Sequence, residues 1–295
     1  MDGIIIINKP KGCTSHDIVY KVKKLLNEKV GHTGTLDPMA EGVLPLLIGK
    51  GTLCSKYLIN HDKKYQVTLK LGIKTDTADS EGKIIEEQEV KEEILEKDNA
   101  KKILSFFLGK QEQKPPIYSA IKVNGKKLYE YARKGQQVEI PTRNIEIYSI
   151  ELIKINKKEK TIEFIVKCSK GTYIRSLCED IATKLGTIGY MKELKRLEVG
   201  IFKIEDSITI EELKEKIEKN EKYIISIEEF FSKKKRIDLD EKMLKKFLNG
   251  VKLDYKNLDD IYRIYSQNKF IGIGKVENQS LKRDIILLEY NRKKR

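Results

Sequence analysis

The sequence predicts an α+β chain with a small β-rich module at its C-terminal end. Three observations carry this. Some stretches alternate polar and apolar residues at the strand period, others repeat apolar residues at the helical period, and the last 64 residues combine one helix with several short strands. At 295 residues, two domains are expected, 1–231 and 232–295, with Lys233-Lys234-Lys235-Arg236 as the composition break and linker.

Ile4 to Ile7 is a β-branched run stopped by Pro10 and Gly12, which reads as a buried strand. Thr14 or Ser15 caps a helix over residues 17–27, with Ile18, Val22, Leu25 and Leu26 on one face. A loop rich in Gly and Pro follows at 31–45. Residues 63–71 alternate from Tyr65 onward as a half-buried strand. Residues 75–82 form a polar turn, and an acidic helix is expected over 91–108. Pro115-Pro116 opens a segment rich in Tyr, Lys and Gly, residues 117–143. The runs 145–155 and 161–168 pair as antiparallel strands, and Gly171-Thr172 starts a helix through Leu185. Thr209 to Glu212 and Ser226 to Glu229 both carry the capping-box spacing. In the terminal module a helix over 241–248 ends at Asn249-Gly250, and strands follow at 261–266, 270–277 and 284–290.

The chain carries a net charge of +14, and 35% of its residues are charged. A basic excess of this size selects for a polyanionic partner. It is uneven: residues 232–295 hold 18 Lys and Arg against 9 Asp and Glu, so +9 of the +14 sits there. Cys13, Cys54, Cys168 and Cys178 are scattered, and with three histidines in all they suggest reduced thiols and no protein-held metal. No apolar run approaches the length of a membrane span, and the first residues lack a signal-peptide layout, so a cytoplasmic protein is expected. A P-loop is excluded, because Leu44 stands where its first glycine must be and Gly51 where Ser or Thr must follow Gly49-Lys50. A dinucleotide turn is excluded because the first strand leads into Asn8-Lys9-Pro10.

The most informative stretch is Gly31-His32-Thr33-Gly34-Thr35-Leu36-Asp37-Pro38-Met39-Ala40-Glu41-Gly42-Val43-Leu44-Pro45. It closely resembles the signature of the TruB family of tRNA pseudouridine synthases. Four further motifs recur in the family's order: Asn8 to Gly12, Lys64-Tyr65, the insertion Ile117 to Gly135, and Lys170-Gly171-Thr172-Tyr173-Ile174-Arg175. Phe247 to Gly250 with Phe270 to Gly274 resembles a PUA domain, an RNA-binding module. The resemblance implies a catalytic domain with a central mixed or antiparallel sheet, and a small C-terminal PUA-like β-barrel.

It also implies roles. Asp37 is the catalytic residue, Arg175 pairs with it, and Tyr65 lies against the base and is a candidate for deprotonation at C5. Lys9, His32, Tyr173 and Leu194 are implied on the substrate side, with His32 entering the RNA to hold the target flipped out. The insertion, about 116–142, is implied to embrace RNA through Lys122, Lys126, Lys127, Arg133 and Lys134. Where the family often has two arginines, this chain has Lys195-Arg196, and a lysine does not reproduce a planar two-donor contact. The implied substrate is the T-loop uridine at tRNA position 55, read through stem-loop shape. No cofactor is required, and a monomer is expected.

Uracil leaves C1′, turns, and rejoins through C5, which needs one ionised carboxylate and no redox step. Arg175 beside Asp37 is expected to hold that carboxylate ionised. Whether Asp37 attacks C1′ or acts by a glycal route stays open. Three alternatives remain on sequence grounds. One is a non-catalytic RNA-binding or tRNA-folding protein on the same fold. Another is a glycosidase-like hydrolase, which normally needs two partnered carboxylates. The third is a guide-RNA-dependent relative of the dyskerin type.

Overall fold

The computed structural model describes residues 1–59, 61–256 and 258–288. The chain begins with β1 (Gly3–Lys9), α1 (Ser15–Leu26), β2 (Val30–His32) and β3 (Glu41–Ile48). A short helix α2 (Ser55–Leu58) leads into β4 (Lys63–Leu71), the hairpin β5 (Ile73–Thr75) and β6 (Ile84–Glu87), then α3 (Lys97–Phe106) and β7 (Gly109–Gln113). The insertion holds β8 (Lys122–Val123), β9 (Lys126–Lys127) and α4 (Leu128–Arg133). After it come β10 (Arg143–Asn156), β11 (Thr161–Cys168), α5 (Ile174–Lys184), β12 (Gly189–Val199) and β13 (Phe202–Lys203). Helix α6 (Ile210–Glu218), β14 (Ile225–Ser226) and α7 (Ile227–Phe230) complete the larger part. The rest is β15 (Arg236–Asp238), α8 (Glu241–Leu248), β16 (Leu253–Asp254), β17 (Asp260–Ser266), β18 (Lys269–Glu277) and β19 (Ser280–Ile286).

One large sheet has the order β14-β1-β3-β12-β4-β11-β10-β7, with β2 edging β3 and β13 edging β12. Every named pairing in it is antiparallel except β3 with β12, which meet in parallel over just Glu41–Lys195 and Gly42–Arg196. That two-residue seam joins two halves. Gly42 makes it possible: its φ is +109°, and a Cβ there would fall 2.2 Å from the Arg196 carbonyl oxygen. In the first half, α1 packs Ile18, Val19 and Val22 on Ile5, Ile7, Leu44 and Leu46, while Ile4 and Ile6 face Val43, Leu47 and Phe202. Burial on both faces is why β1 reads as an unbroken apolar run. In the second half β4 alternates as expected, with Tyr65, Val67, Leu69 and Leu71 turned toward α3 and α5.

Several boundaries differ from the sequence expectation for local reasons. Thr14 caps α1 and exchanges bonds with Asp17 in a full capping box, which starts the helix at Ser15. The 91–108 helix splits into a 3-10 turn at Glu92–Leu95 and α3, because Glu96 is extended. Helix α5 starts at Ile174, since Gly171 is left-handed at φ +80° and Tyr173 is extended. The Lys233–Arg236 segment is a tight connection, with Lys234 N–H donating to the Phe231 carbonyl and Arg236 already in β15. The last strand lies at Ser280–Ile286 and not 284–290, because Asn278 and Gln279, both left-handed, turn the chain early. Residues 289 and 290 of that expectation fall outside the described residues.

The terminal sheet runs β15-β17-β18-β19-β16, an open half-barrel whose end strands do not pair among the described residues. It sits against the larger part through Cys54, Ile227, Phe231, Ile273 and Ile285, flanked by Tyr57 and Phe230. Asp284 accepts from both Lys56 and Tyr57, and Lys50 Nζ donates to the Leu287 carbonyl at 2.6 Å. Among the described residues no helix is long and apolar enough to cross a membrane.

Candidate active site

Asp37 sits on the loop between β2 and β3, and the preceding motif fixes that loop from below. Lys9 is fully buried, and its ammonium donates to the carbonyls of Cys13 (2.7 Å), Pro10 (2.9 Å) and Pro38 (3.2 Å). Gly12 N–H also donates to Pro38, at 2.9 Å. Ser15, at the start of α1, accepts from Leu36 N–H at 2.9 Å. Three elements therefore grip residues 36–38, and the carboxylate between them has little freedom.

Arg175, in the first turn of α5, is 8% exposed and meets Asp37 with two nitrogens, Nε at 3.1 Å from Oδ2 and Nη2 at 3.3 Å from Oδ1. Its Nη1 lies 3.4 Å from Asp79 Oδ2, and Nη2 also donates to the Tyr118 carbonyl at 3.1 Å. The start of α5 is held by Gln113 of β7, whose amide exchanges bonds with the Tyr173 backbone at 2.8 and 3.0 Å. Burial lifts the Asp37 carboxyl above the ordinary carboxylate range, and Asp79 adds to the lift. Arg175, then Lys9 and Arg196, pull the other way. The arginine acts in the expected sense, but desolvation outweighs it.

A cleft of about 760 Å³ opens over this pair. Tyr65, Leu194, Tyr173, Asp37 and Arg175 all line it, as do Tyr118 to Ala120 and Tyr129 of the insertion. Burial pushes the Tyr65 phenol up to about 12, with Arg196 opposing, so it is protonated at neutral pH. Lys9 does not reach the cleft; it lies beneath. His32 is not among the lining residues either. It ends β2 half-buried, with burial and Arg196 lowering its pKa. Lys122, Lys126, Arg133 and Lys134 lie outside the cleft, and Lys127 sits beside the Tyr129 hydroxyl at 3.2 Å. The segment is partly packed, with Ile121 and Leu128 buried and the Tyr131 hydroxyl donating to the Val123 carbonyl. Among the described residues no group of His, Cys, Asp and Glu could hold a metal ion.

Two residues of the site escaped sequence reasoning. Asp79 belongs to the polar turn 75–82, which carries three carboxylates with nothing in their spacing to mark the one that meets Arg175. Arg196 was visible as one of a basic pair, but not as a fully buried side chain on the cleft floor. Lys63, Arg143 and Lys170 also line the cleft and make its rim basic.

The chain as a whole, on this sheet, has known relatives. Residues 22–174 match the family model for the TruB family pseudouridylate synthase N-terminal domain, and 175–249 match that for the tRNA pseudouridylate synthase B C-terminal domain. The chain is therefore a pseudouridylate synthase. The tRNA pseudouridine synthase B of Clostridium tetani is 46% identical, spanning 96% of this chain and 98% of that protein. The one from Clostridium kluyveri is 48% identical (93% and 95%), and that of Aquifex aeolicus 42% (94% and 96%). The chain belongs to the TruB family. Its fold also matches a chain of a Cbf5–Nop10–Gar1 complex, with a TM-score of 0.68 and 25% identity over 98% of this chain and 84% of that one. A chain of an H/ACA ribonucleoprotein bound to a substrate RNA containing 2′-deoxyuridine matches with a TM-score of 0.69 and 23% identity over 97% and 85%.

Proposed function

We propose that this protein converts uridine to pseudouridine in tRNA, at position 55 of the T loop, with Asp37 as the catalytic residue. One observation carries the reading: among the described residues lining the cleft, Asp37 is the single carboxylate, and Arg175 clamps it with two nitrogens. The chemistry needs one oriented carboxylate against the sugar of a flipped nucleotide. Tyr65 and Leu194 supply the apolar walls for a uracil. The relatives named above act on tRNA by their names, and the basic rim of Lys63, Arg143 and Lys170 suits its backbone. His32, at the end of β2, is the residue to enter the RNA, and the basic insertion is the part that embraces it.

A hydrolase reading is less supported, since Asp79 is 5% exposed, is ion-paired with Arg175, and does not line the cleft. A purely RNA-folding protein would have no need for the clamp. The test is carbodiimide or mass-shift mapping of pseudouridine in an unmodified tRNA transcript. The intact protein is expected to modify position 55 and Asp37→Asn to leave it as uridine while still binding. Pseudouridine formed by the asparagine variant, or at another position alone, overturns the assignment.

A further inference from the structure

The least expected charge in the molecule is Arg196. It is 1% exposed, and its guanidinium donates to three backbone carbonyls: Val43 at 2.7 Å, Gly34 at 2.9 Å and Thr35 at 3.5 Å. Among the described residues no carboxylate lies within ion-pair distance of it. Arg175, the other buried arginine of the site, touches two. Burying a cation without a carboxylate is costly even after the surroundings relax. Tying down a loop does not require that charge, because a neutral amide donates to carbonyls as well.

The surroundings do not neutralise it. The titratable groups around Arg196 are Tyr65 and Lys63 of β4, Asp37 of the signature loop, His32 of β2 and Lys9 of β1. Lys9 and Lys63 add basic groups, although burial lowers the pKa of each, and Asp37 is already held by Arg175. The floor of the cleft thus carries an excess of positive charge before any substrate arrives. Arg196 is also the β12 residue at the seam, facing Gly42, so its place is fixed by the sheet itself.

We propose that Arg196 is the built-in counter-charge for the uracil anion of the reaction. When the C1′–N1 bond breaks, its electron pair leaves with uracil, and one negative charge spreads over N1, O2 and O4. The charge is discharged when C5 bonds to C1′, and the base then becomes aromatic again as the C5 proton is lost and N1 takes up a proton. Arg196 gives up no proton or electron; its fixed charge under Tyr65 favours the separated state over the bound uridine. It is a positioning residue acting through the field and the loop. The inference rests on the pseudouridine-forming reading of the Asp37 cleft.

Arg196→Lys and Arg196→Gln both lose the forked grip on the loop, but only the lysine keeps a charge. With a T-stem-loop substrate, the glutamine variant is expected to lose about 10²–10³ in kcat, the scale of a removed charge-stabilising donor. Its KM should change little. The lysine variant should retain more kcat, and its kcat should fall with rising pH, because burial lowers an ammonium's pKa and the charge is present only below it. Ethylguanidinium should restore Arg196→Ala through the cleft, and ethylurea should not. Thermal melting of each variant identifies any that fails to fold, and the two remaining comparisons then decide. Equal losses in lysine and glutamine with no pH difference, or equal rescue by ethylurea, would make Arg196 a structural pin and overturn the proposal. Absence of pseudouridine with the intact protein is a separate result, and it would overturn the reading of the cleft.

Discussion

Arg175 meets Asp37 along both edges of the carboxylate, at 3.1 and 3.3 Å, while its remaining nitrogen lies 3.4 Å from Asp79. One guanidinium therefore fixes the carboxylate in orientation and is itself fixed from behind. Arg175→Lys keeps the charge and loses the fork. We expect kcat to drop by about 10²-fold, the cost of a misplacement on the order of 1 Å. Steady-state kinetics on a T-stem-loop checks this, and an unchanged kcat would remove the pairing from the mechanism.

The proposed reaction uses Asp37 as a carboxylate, and its pKa is raised. Its charge is therefore lost as pH falls through a value above the about 3.9 of an ordinary aspartate. The acidic limb of kcat/KM should stand above that value and report the free enzyme. Asp79 contributes to the lift. Asp79→Asn should move the limb to lower pH while reducing kcat, since Arg175 loses its rear support. A limb that stays in place would show that Asp79 does not reach Asp37 electrically.

The terminal half-barrel should supply affinity without chemistry. Cutting the chain at Glu229 would strip Phe231, Ile273 and Ile285 from Cys54 and Ile227, at about 1.5–3 kcal/mol for each large side chain uncovered. Such a truncation is expected to melt earlier, yet still to convert a T-stem-loop. A cleaner probe is Lys242, Lys245 and Lys246, exposed on α8. Changing all three to Gln should leave kcat intact and weaken binding of full tRNA. It should also flatten the plot of log affinity against log salt, by roughly 0.9 for each phosphate no longer neutralised. Identical slopes would exclude this face from RNA binding.

The insertion presents two expectations in one segment. Leu128 N–H donates to the Ile121 carbonyl at 2.8 Å and Tyr129 N–H to the Ser119 carbonyl at 3.1 Å, so these amides should show some protection. Residues 137–142 lie in no helix or strand, and Lys134 to Gln136 before them are exposed. Hydrogen exchange should be fast across 137–142 in the free protein and slow sharply on adding a T-stem-loop. Strong protection there without RNA would argue against a segment that closes.

Much of this molecule was legible in the sequence because the information was local. The strand 63–71 and a cap for α1 at Thr14 or Ser15 follow from patterns over a few residues, and those are set by backbone geometry and immediate neighbours. The signature loop pointed to Asp37, and the last motif to Arg175, one position at a time. What the tertiary structure decided is everything that depends on two distant segments meeting. The seam between β3 and β12 needs Gly42 against Arg196, 154 positions apart, and no periodicity records it. Asp79 looks like any carboxylate in a polar turn until α5 places Arg175 beside it. Arg196 looks like a surface cation until the sheet buries it, and the direction of the Asp37 pKa depends on how much water the finished cleft excludes. Burial and charge pairing are properties of the assembled fold, so a chain read residue by residue names the candidate groups but not the field they work in.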